Sequence, residues 1–303
     1  MARILVRFVK WTSVVALLLM LVVAAAYFYA VISFDSESLP ERYGHVGTVL
    51  YAGEQPGQPL IVGLGGAEGG NTWTRPRFES IRESFLKQGY AFLALAYFGG
   101  RDTPAELDRI SVEGVYAAIM EAAKDPRING DCIAVVGGSK GAELALLLAS
   151  HYPEIKAVVA IVPGHAVFPA HTIAMNTPSF ALNGEPLPFV PVPWSAVPAL
   201  LKRDLRAAFE TMLRNQEAVE RAAIAVERIN GPVLLLSATQ DEFWPSMEMS
   251  EAIVERLRRN DFRFGVEHIA VEGNHESPQR RLDVVERFLE THILSQSAAG
   301  CPR

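Results

Sequence analysis

The chain has little cysteine, no surplus of positive charge downstream of its first ten residues and no cluster with metal-ligand spacing. Cysteine occurs only at Cys132 and Cys301, so one disulfide is the most it can form. Cys132 sits in an apolar strand-like run and Cys301 in a polar tail, a placement that predicts a buried inert thiol and a separate tail thiol. Lys and Arg total 28 against 34 Asp and Glu, and once Arg3, Arg7 and Lys10 are set aside the remainder carries 25 cations and a net charge of −9. An acidic body without a basic cluster offers no footing for a phosphate backbone, which argues against nucleic-acid binding. No His, Cys, Asp or Glu group has zinc-ligand spacing, so no metal is expected. A phosphate loop is equally unsupported, because no G-K-[ST] follows the glycine-rich stretch at residues 65–70. No cofactor is expected.

Half of the residues are apolar, 20% are charged and 9% aromatic, a composition that excludes a disordered chain and provides for a sizeable core. The positive mean hydropathy of +0.16 has one main source, since residues 11–34 contain no charge. As a helix that run is about 36 Å long at 1.5 Å per residue, enough to cross a bilayer. Trp11 stands at one end and Tyr27, Phe28, Tyr29 and Phe34 at the other, as interfacial belts do. Cations before the span and Asp35, Glu37 and Glu41 after it place the amino terminus inside and the body outside. The rival is a cleaved signal peptide, with residues 13–23 as its apolar region and Ala24-Ala25-Ala26 as the cleavage site. The apolar run continues past that site, which favours an uncleaved single-pass signal-anchor over a secreted product.

From residue 45 onward, short apolar runs alternate with helical patterns, and no internal repeat is visible. Strands are expected at residues 45–52, 60–64, 91–98, 132–137, 157–162, 233–237 and 265–271. Helices are expected at 77–88, 112–124, 142–151, 247–259 and 280–294. Continuous runs such as Ile133-Ala134-Val135-Val136 suit strands covered on both faces, and the alternation implies a mostly parallel sheet with right-handed crossovers. The domain reading is a signal-anchor over 1–34, a linker over 35–44, an α/β body over 45–294 and a disordered tail over 295–303. Residues 165–229 break the rhythm with six prolines between Pro178 and Pro198 and an amphipathic helix expected near 202–221. That segment reads as a lid or pocket wall.

Gly137-Gly138-Ser139-Lys140-Gly141 follows an apolar strand and precedes a helix, which is G-x-S-x-G in the setting its chemistry needs. The serine would project at a helix N-terminus whose free N–H groups favour developing negative charge. A serine hydroxyl is a weak nucleophile until a histidine takes its proton and a carboxylate orients that histidine. In this arrangement the chain order is Ser, acid, His. Asp241 follows the strand expected at 233–237 and His275 follows the next, so the candidate triad is Ser139, Asp241 and His275. Glu242 is the neighbouring candidate acid. His268 falls inside a strand pattern and reads as structural, while His165 follows a strand and is a candidate pocket residue. The candidate oxyanion donors are the N–H groups of Lys140 and of Ala67 or Gly66. Candidate pocket residues are Phe189 and Trp194 on the lid, with Phe98 and Phe243 near the strand ends.

With those residues in place, the stretch from Pro59 to Pro278 resembles the acyl-CoA thioesterase / bile acid-CoA:amino acid N-acyltransferase family, in its carboxy-terminal domain. The resemblance runs through the glycine-rich loop with Arg75, Gly89-Tyr90-Ala91 to Ala96-Tyr97-Phe98-Gly99, Gly138-Ser139-Lys140-Gly141, Ile229 to Leu235, and Asp241 to Ser246. It implies an α/β-hydrolase fold with the triad at Ser139, Asp241 and His275. The amide-forming members carry cysteine at the nucleophile, so serine implies the hydrolytic branch. Where eukaryotic members carry a β-sandwich domain ahead of the hydrolase domain, this sequence has the apolar span and a short linker. The expected activity is that of a membrane-anchored serine hydrolase cleaving a small-molecule acyl ester or thioester, acyl-CoA among them. The alternatives are an extracytoplasmic carboxylesterase or dienelactone-hydrolase-like enzyme that does not use CoA, a prolyl-oligopeptidase-type serine peptidase, and an inactive hydrolase-fold binding protein.

Overall fold

A computed structural model describes residues 2–297 and 301, with side chains described for residues 10–296 and 301. Two compact units divide the chain. One comprises Met1–Ser38 with Thr172–Ala174, and the other Leu39–His171 with Met175–Arg303. The first is dominated by helix α1 (Ala2–Ser33), in which Lys10–Ser33 is long and apolar enough to cross a membrane.

In the second unit the strands are β1 (Gly47–Tyr51), β2 (Gln58–Leu64), β3 (Ala91–Ala96), β4 (Ile110–Ser111), β5 (Ile128–Gly138), β6 (Ile155–Ile161), β7 (Phe180–Leu182), β8 (Glu185–Pro186), β9 (Val233–Ala238) and β10 (Val266–Val271). Seven of them form one sheet in the order β1-β3-β2-β5-β6-β9-β10, in which β1 alone runs antiparallel. The helices that cover it are α2 (Glu79–Lys87), α3 (Val112–Ala122), α4 (Lys140–His151), then, after the helices α5 (Val197–Leu201), α6 (Leu205–Leu213) and α7 (Gln216–Ala222) of the 165–229 insertion, α8 (Ser246–Arg259) and α9 (Leu282–Leu289). The chain has the α/β-hydrolase architecture.

Side-chain alternation splits the core between the two faces of the sheet. Leu60, Val62, Leu64, Leu93, Ile133 and Val135 pack on one face with α3 and α4. Ile61, Phe92, Ala94, Ala134 and Val136 pack on the other, beneath Phe85 of α2 and Phe288 of α9. Both faces are buried along Ile133–Val136 of β5 and Val233–Leu236 of β9, as continuous apolar runs require.

Three local outcomes differ from the sequence expectation. A second, three-stranded sheet in the order β4-β7-β8 joins Ile110–Ser111 to two strands of the 165–229 insertion, and its strands of two or three residues are too short for period-two alternation to register. The helix expected at 202–221 is two helices, α6 and α7, each with its own N-cap, since Asp204 accepts from Ala207 N–H and Asn215 from Ala218 N–H. The cysteines are not separate thiols, because Cys132 and Cys301 form a disulfide with their Cα atoms 5.3 Å apart. Cys301 is therefore tied to the base of β5 rather than free in a tail, and Ser295–Ser297 is helical. The remaining tail residues 298–300 and 302–303 lie outside the described residues.

Candidate active site

Strand register decides which loops meet. Leu64 pairs with Gly137 and Gly138 with Ile161, so the loop after β2 and the turn after β5 leave the sheet at the same level. Ala238 pairs with Val271, and beyond it Thr239 N–H bonds Val271 O and Gln240 N–H bonds Gly273 O. The loops bearing Asp241 and His275 are thereby laced together. All four loops open on the carboxyl edge of the parallel strands, where open α/β sheets build their sites.

Ser139 caps α4 with φ 54° and ψ −119°, a left-handed conformation that costs a non-glycine residue about 1–3 kcal/mol. Its N–H bonds Ile161 O at 2.8 Å, holding the turn in place. The flanking glycines are forced by backbone approach. A Cβ on Gly137 would lie 2.8 Å from Ala142 N, and one on Gly141 would lie 2.7 Å from Leu64 O. Ser139 is half-buried, and among the described residues its hydroxyl has no hydrogen-bond partner. The loop after β2 abuts it, since a Cβ on Gly66 would stand 3.4 Å from Ser139 Cβ. Ala67 is exposed at the tip of that loop, and the Lys140 N–H lies in the first turn of α4, where the helix supplies no acceptor.

His275 and Asp241 form a closed pair. His275 Nδ1 lies 2.8 Å from Asp241 Oδ1 and 2.9 Å from Oδ2, with the two residues 6% and 1% exposed. Burial pushes the Asp241 pKa up, but hydrogen bonds from His275, Ser246 and the Phe243 N–H outweigh it and leave the carboxyl below its ordinary value. The ionised Asp241 accepts a hydrogen bond from the Nδ1–H of His275, which leaves Nε2 as the ring nitrogen available to act as a base. Glu242 serves the same histidine differently, accepting its backbone N–H at 3.0 Å. Adjacent carboxylates thus hold His275 by ring and by main chain. The Phe243 ring stands edge-on to the imidazole at 4.8 Å.

Two contacts around the site have no counterpart in the sequence reading. Lys140 and Glu143 form an ion pair of 2.7 Å with both side chains at most 3% exposed, and Glu143 also accepts the Phe168 N–H. Burial opposes both charges, pushing Lys140 down and Glu143 up. Their i,i+3 spacing was visible, but nothing in the sequence marks that helix face as buried. Arg206 of α6 donates to Asp241 O at 3.0 Å and pairs with Glu248, contacts made across 35 and 42 residues of sequence.

The other candidate residues scatter. Phe98 is buried against Gly69, where a Cβ would lie 2.9 Å from its ring. Phe243 is 44% exposed and Trp194 82% exposed, while Phe189 packs partly buried on the core. His165 has an unpartnered buried Nδ1, and burial pushes its pKa down to about 4. His268 Nε2 lies 2.8 Å from Ser237 Oγ within the paired strands β9 and β10. Among the described residues no group of three His, Cys, Asp or Glu side chains could hold a metal ion.

The chain is 28% identical over 228 residues to the mouse (Mus musculus) mitochondrial acyl-coenzyme A thioesterase 2, covering 73% of this chain and 45% of that protein. It is 27% identical over 205 residues to mouse acyl-coenzyme A amino acid N-acyltransferase 1, covering 67% and 44%. The chain therefore spans about half the length of the curated relatives it matches. A Mycobacterium tuberculosis puromycin-hydrolyzing peptidase shares the fold with a TM-score of 0.56 and 17% identity, over 85% of this chain and 38% of that one. Residues 116–275, which contain Ser139, Asp241 and His275, match the model of the BAAT / acyl-CoA thioester hydrolase C-terminal family, and the chain belongs to that family.

Proposed function

We propose that the chain is a membrane-anchored serine hydrolase of acyl esters or thioesters, with Ser139 as nucleophile, His275 as general base and Asp241 as its orienting acid. One observation carries the reading. A closed His275–Asp241 pair shares the carboxyl edge of the sheet with a strained serine at the head of α4. In the first half-reaction Ser139 Oγ attacks the acyl carbonyl carbon as His275 Nε2 takes its proton. The carbonyl oxygen gains the negative charge, facing the Lys140 N–H and that of Gly66 or Ala67. The tetrahedral adduct collapses, the C–O or C–S bond to the leaving group breaks, and His275 returns the proton to it. Water then repeats the sequence on the acyl-enzyme and releases the acid. Resting hydroxyl–imidazole contacts commonly tighten only when substrate is bound, which accommodates the unpartnered Ser139 hydroxyl. Phe243, whose ring stands edge-on to His275, offers apolar surface beside the base.

The charge pattern around residues 11–34 favours a body on the extracytoplasmic side, tethered through Lys10–Ser33. The Cys132–Cys301 disulfide supports that orientation, because cytosolic thiols are held reduced. The same side favours an ester or thioester other than acyl-CoA, which is an intracellular metabolite, whereas the curated relatives favour acyl-CoA. The deciding assay sets acyl-CoA thioesters beside aryl esters on one full-length preparation. A fluorophosphonate should label Ser139, and Ser139→Ala should lose at least about three orders of magnitude in kcat. Near-normal turnover by Ser139→Ala would sink the assignment. A reporter fused after Arg303 should be active only outside the membrane, and cytoplasmic activity would reverse the orientation.

A further inference from the structure

The reaction above makes no use of the buried Tyr97 hydroxyl, which bonds the loop beside Ser139. Tyr97 follows β3, is 2% exposed and packs in the same core cluster as Leu64 and Ala142. Its hydroxyl donates to Gly65 O at 2.6 Å and lies 3.4 Å from Gly66 O. Burial, reinforced by the Glu68 and Glu143 carboxylates, pushes its pKa well above the ordinary phenol value, so it remains a neutral donor. Gly65 O has a second constraint, because Gly141 of the serine turn packs so closely on it that a Cβ at 141 would collide. Side-chain hydroxyl and turn backbone together fix the direction of one carbonyl.

A trans peptide is planar, with its C=O and N–H pointing in opposite directions. Fixing the Gly65 carbonyl therefore fixes the Gly66 N–H, and the longer contact to Gly66 O acts in the same sense on the Ala67 N–H. These are the two loop donors beside Ser139, with the Cβ direction of Gly66 ending 3.4 Å from Ser139 Cβ. Were that loop free to rotate, its donors would have to be reoriented as the oxyanion forms, and preorganisation is what gives such donors their effect.

We propose that Tyr97 is a positioning residue for the oxyanion hole, its hydroxyl locking the Gly65 and Gly66 carbonyls so that the N–H groups beyond them face the nucleophile. The inference rests on the reading of Ser139 as nucleophile. Tyr97→Phe keeps the ring packed on Phe98, 5.2 Å away, and removes only the hydroxyl.

The test uses full-length protein in nanodiscs, a p-nitrophenyl ester as substrate and an alkyl boronic acid as the transition-state mimic. The boronic acid's tetrahedral adduct with Ser139 places an oxygen where the oxyanion would lie. For Tyr97→Phe, kcat is expected to fall about 10- to 100-fold with KM changed less than twofold. The boronate inhibition constant should rise by the factor lost in kcat/KM. Backbone exchange at Gly66 and Ala67 should quicken while that of β2 and β5 does not. An unchanged kcat and boronate affinity, with only a lower melting temperature, would make Tyr97 a packing residue and overturn the proposal. Ser139→Ala, assayed in parallel, keeps the two ideas apart. Activity surviving in that variant defeats the hydrolase reading, whereas an inert Ser139→Ala beside a fully active Tyr97→Phe defeats only this inference.

Discussion

Breaking the Cys132–Cys301 bond should destabilise the body far more than it slows the chemistry. The two residues are 169 positions apart in sequence, and closing a loop of that length in the unfolded chain corresponds to about 5 kcal/mol in the chain-entropy model, with about 2–4 kcal/mol typical of measured bonds. At about 2 °C per kcal/mol for a body of this size, Cys301→Ser should lower the melting temperature by roughly 4–10 °C. Cys132 is fully buried and Cys301 6% exposed, so reductant should reach the bond slowly in the native state. Cys132 lies on β5, whose far end turns into Ser139, yet the intervening Ile133–Val136 run is paired on both sides. Turnover per folded molecule at 25 °C should therefore stay within about twofold of wild type, since paired, close-packed strands resist such a distant change. The assay is thermal unfolding of wild type and Cys301→Ser, with and without reductant, alongside ester turnover. Equal midpoints in oxidised wild type and Cys301→Ser would refute the argument, as would a reductant that lowers the midpoint of Cys301→Ser as much as that of wild type.

Gly141→Ala should cost at least about 1–3 kcal/mol in strain and, because the new Cβ meets Leu64 O and Gly65 O, should lower kcat more than 100-fold in an ester assay. Asp241→Asn should reduce kcat about 10⁴-fold by supporting the wrong imidazole tautomer, whereas Glu242→Gln, which weakens only the grip on the His275 N–H, should cost about 10-fold or less. Lys140→Met leaves its backbone N–H in place but strands the Glu143 carboxylate without a counter-charge, and urea unfolding should register about 3–5 kcal/mol of lost stability. His165 has a folded pKa pushed down to about 4 by burial, so between pH 6.5 and 4 the unfolded chain binds the extra proton. Stability should fall through that window by up to about 3 kcal/mol, and His165→Phe should flatten the decline in a pH series of urea midpoints.

The parallel sheet was legible because strands buried on both faces must be apolar at every position. The runs at Ile133–Val136 and Val233–Leu236 show that without ambiguity, and the helices between them follow from their apolar periodicity. The G-x-S-x-G turn was legible for a related reason. Its glycines answer to backbone collisions at Gly137 and Gly141, a constraint that leaves its mark in composition. Asp241 was the preferred acid on the sequence, with Glu242 as its neighbouring candidate, but the place of Glu242 on the His275 main chain was not legible. Only the lacing of Thr239 to Val271 and Gln240 to Gly273 sets Asp241 against the ring and Glu242 against the main chain. Tyr97 was hidden differently. A tyrosine ending an apolar strand reads as packing, and its hydroxyl acquires meaning only when register brings Leu64 opposite Gly137. The disulfide was least visible of all. Cys132 looked like one more small apolar residue in a strand, and Cys301 stood beyond the last helical pattern, where periodicity has nothing to report. Their meeting joins β5 to a residue 169 positions later in the chain. Contacts of that kind, made across 169 residues, carry no local signal, and the same separation is what makes this bond so effective against the unfolded chain.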